Sequence, residues 1–135
     1  MLHYPPKILI AFGEALNGNE KIFHWLLVKG YPELAALCNS IHSDTEAFDW
    51  LLSHGFPELG VLSNAIDGEP KAIEWLGKNR FEFLLLFANA CQGDETSLKW
   101  LQNNDGALFV ILAQRIHNIL NEQARNTKDY HKIRW

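Results

Sequence analysis

Eleven residues before Trp25, Trp50, Trp75 and Trp100 stand Glu14, Asn39, Asn64 and Asn89, and Gln114 holds the same place one interval later. A primary amide offers two donors and an acceptor, so such a column could hydrogen-bond the backbone of an extended peptide. Asparagine is a poor residue for a helix interior, and its return needs a cause. Either these groups form a ladder for a partner, or each bonds the neighbouring copy and sets the stacking distance. Asn39, Asn64, Asn89, Glu14 and Gln114 are therefore the candidate partner-binding residues. Other chemistry is thin. Histidines stand at 3, 24, 42, 54, 117 and 131, no pair has the i, i+4 spacing of a helical zinc site, and Cys-x-x-Cys is absent. Cys38 lies on an apolar stripe and reads as core rather than nucleophile. Asp94 and Glu95 sit where a helix start favours negative charge, which capping explains without catalysis. No catalytic, cofactor-binding or metal-ligating set emerges, and the chain reads as non-enzymatic.

The elements that must carry the column are written in the same register. Each of the tryptophans precedes a leucine, at 26, 51, 76 and 101, with a constant interval of 25 residues. Thirteen before each Trp come Phe12, Leu37, Leu62 and Phe87, and sixteen before come Leu9, Leu34, Leu59 and Leu84. Seven before stand Gly18, Ser43, Gly68 and Gly93. Several columns sharing one interval mean one structural unit copied about four times. After Trp100 the interval still finds Phe109 and Leu112, but the next tryptophan position is Arg125, so a fifth first helix stands without its partner.

Within one copy, Leu34, Leu37, Cys38 and Ile41 follow the i, i+3, i+4, i+7 rule and predict a helix from Pro32 to about Ile41. Proline suits its first turn, and Glu33 complements the positive end of its dipole. Asn39 lies about 140° around from Leu34, off the main stripe. Ser43, Asp44 and Thr45 cap a second helix whose inner side is Ala47, Phe48, Trp50, Leu51 and His54, and Gly55 ends it. His24, Asp49, Glu74 and Lys99, one before each Trp, share no chemistry and read as a solvated face. Helices of about ten residues are marginal alone, so neighbours must stabilise them. The expected fold is all-α: a single-domain α-solenoid of about four and a half 25-residue helical hairpins. Trp50 and Trp75 are expected in its core, and the off-register Trp135 outside it. The first copy has only Met1, Leu2, Tyr4 and Pro5-Pro6 to cover Ile8, Phe12 and Phe23, whereas Ile116, Ile119 and Leu120 predict a longer final helix acting as a cap.

The stretch Leu62, Ala65, Gly68, Ile73, Trp75, Leu76 resembles the helical part of an ankyrin repeat, with Gly30 and Gly55 at its terminal glycine. The resemblance covers residues 7 to 116 and concerns the helix-turn-helix part alone. The Thr-Pro-Leu-His signature is missing, the copies are shorter, and the glycine-aromatic-proline joint leaves no room for a β-hairpin. It implies a protein-binding scaffold.

Composition narrows the function classes. The formal charge is −6 over residues 1 to 120 and +2 over 121 to 135, which divides a repeat domain (1–120) from a polar, basic C-terminal tail (121–135). An acidic body argues against nucleic acid. The longest apolar stretch, Phe83 to Cys91, is too short for a membrane span, and no signal-peptide pattern opens the chain. Cys38 and Cys91 lie two copies apart, which fits a reducing cytoplasm. The partner expected is another protein or peptide, with no cofactor. The alternatives are a small enzyme or ligand-binding domain using the concave groove, and a homo-oligomer paired through its end copies.

Overall fold

Left-handed residues cut the chain into short helices at two places in every copy. Seven before each Trp, Gly18, Ser43, Gly68 and Gly93 have φ of 91°, 74°, 85° and 94°; five after it, Gly30, Gly55, Arg80 and Asp105 have φ of 90°, 88°, 60° and 59°. Glycine enters this region without a steric penalty, whereas Ser43, Arg80 and Asp105 do so at about 1 kcal/mol or more each. The computed structural model describes residues 1 and 3–133, with side chains through 126. Among them are the helices α1 (Pro6–Leu16), α2 (Glu20–Val28), α3 (Pro32–Ile41), α4 (Thr45–Ser53), α5 (Pro57–Ile66), α6 (Pro70–Lys78), α7 (Glu82–Cys91), α8 (Glu95–Asn103) and α9 (Ala107–Ile133), and no strand. Prolines open α1, α3, α5 and α6, and Asn19, Asp44 and Asp94 cap α2, α4 and α8 by accepting first-turn N–H bonds.

The first helices of successive copies pack in series, α1 on α3, α3 on α5, α5 on α7 and α7 on α9, and α9 packs in turn on α1. Each of α2, α4, α6 and α8 bridges the two first helices on either side of it in the chain. The result is one compact, all-helical body. Its centre is the column thirteen before each Trp: Phe12, Leu37, Leu62, Phe87 and Leu112 are all fully buried, with Leu16, Ile41, Ile66, Cys91 and Ile116 beside them.

Small residues set the spacing between first helices. Gly13, Cys38, Ser63, Ala88 and Ala113 stand twelve before the Trp register and Ala15, Ser40, Ala65 and Ala90 ten before, all buried. The two columns face each other, as the 2.7 Å contact of Ser40 Oγ with Ser63 Oγ records. Where α9 meets α1 the same two positions are Arg115 and Gly13. A Cβ on Gly13 would lie 2.6 Å from Arg115 Nη1 and 3.0 Å from Leu112 Cδ2, so glycine makes room for the guanidinium. Arg115 also approaches Glu14 at 3.8 Å. The contact between the chain's two ends thus repeats the geometry of its interior contacts.

Three expectations are corrected. The tryptophans are not the core: Leu26, Leu51, Leu76 and Leu101 are fully buried, whereas Trp25, Trp50 and Trp75 are half-buried. Trp50 stacks on Phe56 at 6.2 Å and Trp75 on Phe81 at 5.5 Å. The fourth copy has Gly106 in place of that ring, and Trp100 is 49% exposed. Next, His54 is not on the inner side of α4; it is exposed, stacks on Trp50 at 4.1 Å and donates from Nδ1 to the Trp50 carbonyl. Last, two of the three first-copy residues expected to be thinly covered are not: α9 and the N-terminal segment leave Ile8 and Phe12 buried together with Met1 and Tyr4, while Phe23 is half-buried. The boundary expected at 120/121 falls inside α9, which runs to Ile133. Trp135 lies outside the described residues, as do Leu2 and the side chains of Lys128, Lys132 and Arg134.

Candidate partner-binding surface

The amide column lies on the outer flank of the first helices. Asn39 is half-buried in a cleft of about 490 Å³ between the start of α2 and the end of α3, with Gly18, Phe23, Cys38 and His42. Asn64 lines the repeat-equivalent cleft, about 220 Å³, with Ser43, Asp44, Phe48 and Ser63. Among the described residues, the side-chain amides of Asn39, Asn64 and Asn89 meet no hydrogen-bond partner. Their main-chain carbonyls are engaged: Asp44, Glu69 and Asp94 donate N–H bonds to Asn39, Asn64 and Asn89 at 3.0 to 3.1 Å. Gln114 is exposed, and Glu14 is half-buried beside Arg115. Asn39 and Asn64 each face their own cleft rather than one shared groove.

Sequence reasoning missed the column that bonds neighbouring copies, eight before each Trp: Asn17, His42, Asp67, Gln92 and His117. His42 Nε2 donates to the Leu16 carbonyl at 3.2 Å, Gln92 Nε2 to Ile66 at 3.3 Å and His117 Nδ1 to Cys91 at 3.0 Å. Each satisfies a carbonyl in the last turn of the preceding first helix, where no intrahelical donor is left. Gln92 and His117 lie over the left-handed Gly68 and Gly93, where a Cβ would come within 2.7 and 3.1 Å of them. The exception is Asp67, whose ionised carboxylate can only accept. The Ile41 carbonyl takes its bond instead from Gln123 Nε2 of α9, at 3.1 Å, and that amide also reaches Ser43 Oγ at 3.2 Å. Partial desolvation, then the charge of Glu69, holds the Asp67 carboxyl above its ordinary range. The signal was available: five polar side chains recur at the end of otherwise apolar helices.

The remaining perturbed groups are perturbed by burial. It pushes the Cys38 thiol up to about 12 and raises Cys91 as well, so both are protonated at neutral pH and neither is an activated nucleophile. At the opposite end of the first helices, Met1 and Tyr4 lie near Glu33 and Glu58. Burial lowers the Met1 amine, with Glu58 opposing; burial raises the Tyr4 phenol, helped by Glu33 and Glu58. Glu33, read from sequence only as a dipole complement, is itself buried with Oε1 unpartnered, and desolvation raises its carboxyl against the pull of its own backbone bond and His3. Among the described residues, no three His, Cys, Asp or Glu side chains converge on a metal-sized point, and no helix is long and apolar enough to cross a membrane. Compared with known proteins, the chain matches no family model, no curated protein and no solved structure.

Proposed function

We propose that the protein is a non-enzymatic helical-repeat scaffold, an ankyrin-like α-solenoid of about four and a half hairpins wound until its ends meet, that binds another protein or peptide. The observation that carries this reading is the set of unpartnered amides on Asn39, Asn64 and Asn89. Their atoms are open to water rather than sealed in the body, so the backbone of a partner can replace that water with direct hydrogen bonds. Because fully buried side chains fill the space between the first helices, the binding surface is the outside of the body rather than a concave groove. A cytoplasmic setting belongs to the same reading, with Cys38 and Cys91 free and buried.

The test is the triple variant Asn39→Ala, Asn64→Ala, Asn89→Ala. With no internal bond to lose, it should melt within a few degrees of the parent. In affinity capture from source-cell lysate with mass-spectrometric identification, it should fail to retain the protein that the parent retains. A triple variant that captures the same protein at the same yield would refute the amide surface, and one that loses about 0.5 to 1.5 kcal/mol per site would assign the amides to the fold.

A further inference from the structure

Among the described residues, the four outer helices occupy four of the five junctions between first helices, and the junction between α9 and α1 has none. The register identifies what an outer helix covers. Fifteen before the Trp register, Gly60 faces α4 of the preceding copy, where its Cβ would meet Leu52 and Phe48 at 3.1 and 3.4 Å, and Leu85 lies 3.9 Å from the corresponding position on Gly77 of α6. In the first copy this position is Ile10, which has no preceding outer helix and is 53% exposed, against 1% for Ala35 in the second. One residue further on, in the copies that have an outer helix, Ala11 is buried and Ala36, Val61 and Leu86 are half-buried, whereas Ile111, whose copy has none, is 46% exposed. Bulky isoleucines thus flank the one vacant junction from both sides.

We infer that this junction is a docking site for a single amphipathic helix of another protein, and that the occupant has the chemistry of α2, α4, α6 and α8. The chain itself displays that chemistry, because it fills the four equivalent positions with its own helices. In α4, α6 and α8 a small residue (Ala47, Ala72, Ser97) is followed directly by a bulky apolar one (Phe48, Ile73, Leu98) and, four after the small residue, by a leucine (Leu51, Leu76, Leu101). The leucine is fully buried in every copy. The occupant is therefore a helix of about nine residues with small, bulky and leucine side chains at i, i+1 and i+4. It runs antiparallel to α1 and α9, as each outer helix must relative to the first helices that it joins. The site is separate from the amide clefts, so the two surfaces can fail independently.

The probe is the chain's own α4 as a synthetic peptide, residues 43–56, titrated into the isotope-labelled full-length protein and followed by NMR. Saturable shifts should cluster on residues 7–14 and 108–118, and a scrambled peptide should give none. The variant Ile10→Glu/Ile111→Glu, both positions being half exposed, should keep the parent's spectrum elsewhere and weaken the peptide by about tenfold or more. The Asn39, Asn64, Asn89 triple variant should bind it like the parent. Absence of saturable shifts at millimolar peptide would overturn the inference, as would shifts confined to α2 through α8. So would sedimentation of the parent as a dimer that the double Glu variant converts to monomer, because a second copy would then be the occupant. If the double variant does not fold, the shift map of the parent alone decides.

Discussion

Substituting Leu51 and Trp50 separately measures which member of the repeated Trp-Leu pair holds the fold. Leu51 is fully buried in the middle of the body, and a Leu→Ala change at such a site costs about 3 to 4 kcal/mol in lost transfer energy plus cavity. Trp50 is half-buried and packs from outside on Phe56 and His54. Full burial of a Trp removes about 150 to 250 Å² from water. Half of that, at about 25 cal/mol per Å², is worth about 2 to 3 kcal/mol, and solvent enters the vacated site instead of leaving a cavity. With about 2.1 cal/mol/K of unfolding entropy per residue, a chain of 135 residues loses about 3 to 4 °C of melting temperature per kcal/mol. Leu51→Ala should therefore melt about 10 to 14 °C below the parent and Trp50→Ala about 7 to 11 °C below. Far-UV circular dichroism is the assay, since Trp50→Ala alters the fluorescence signal itself. A loss for Trp50→Ala equal to or greater than that for Leu51→Ala would refute the assignment of the core to the leucine column.

Asp67 gives a pH-dependent test. Its carboxyl titrates above the ordinary range in the folded protein, so ionising it costs more in the fold than in the unfolded chain; that penalty grows as pH rises through the usual aspartate range and is complete above the folded value. Asp67→Asn should be more stable than the parent at pH 7, with the difference vanishing below about pH 3, and urea unfolding at both pH values checks it. The closure of α9 on α1 is tested by Gly13→Leu, which places atoms where Arg115 Nη1 and Leu112 Cδ2 now lie. It should cost about 2 kcal/mol or more, and adding Arg115→Ala should recover part of the loss; strictly additive effects in a double-mutant cycle would contradict the contact.

The helices were legible because their signals are local. Proline openings, left-handed glycines and the i, i+3, i+4, i+7 stripe placed α3 from Pro32 to Ile41, where the structure has it. Distance in the chain hid the rest. Periodicity identifies which residues are apolar but not how far each is buried, so it sets Trp50 and Leu51 on the same inner side, whereas only Leu51 is fully buried. That the stack curves until α9 meets α1 depends on the angle between neighbouring copies, which no single column states. The one sequence trace of closure is the pair Gly13 and Arg115, a glycine and a large cation where every other copy has two small residues. For the site, the register found the amide column because Asn recurs as one residue type. It missed the column of His42, Gln92 and His117 because two chemistries perform one role, donating to a helix-end carbonyl.

The vacant outer junction and the long final helix have one cause. A fifth outer helix would be built from the residues that follow Ile116, with its bulky apolar side chain at position 123 and its tryptophan at 125. In this chain those residues are Gln123 and Arg125, and they continue α9. Gln123 there donates to the Ile41 carbonyl, the one helix end in the series whose regular donor is replaced, by Asp67, with an acceptor. The same residues cannot both extend α9 to Ile41 and fold back over Ile10 and Ile111. Satisfying a carbonyl in the second copy from the far end of the chain thus leaves two isoleucines at the closure uncovered, and any helix that covers them must come from outside the repeat register.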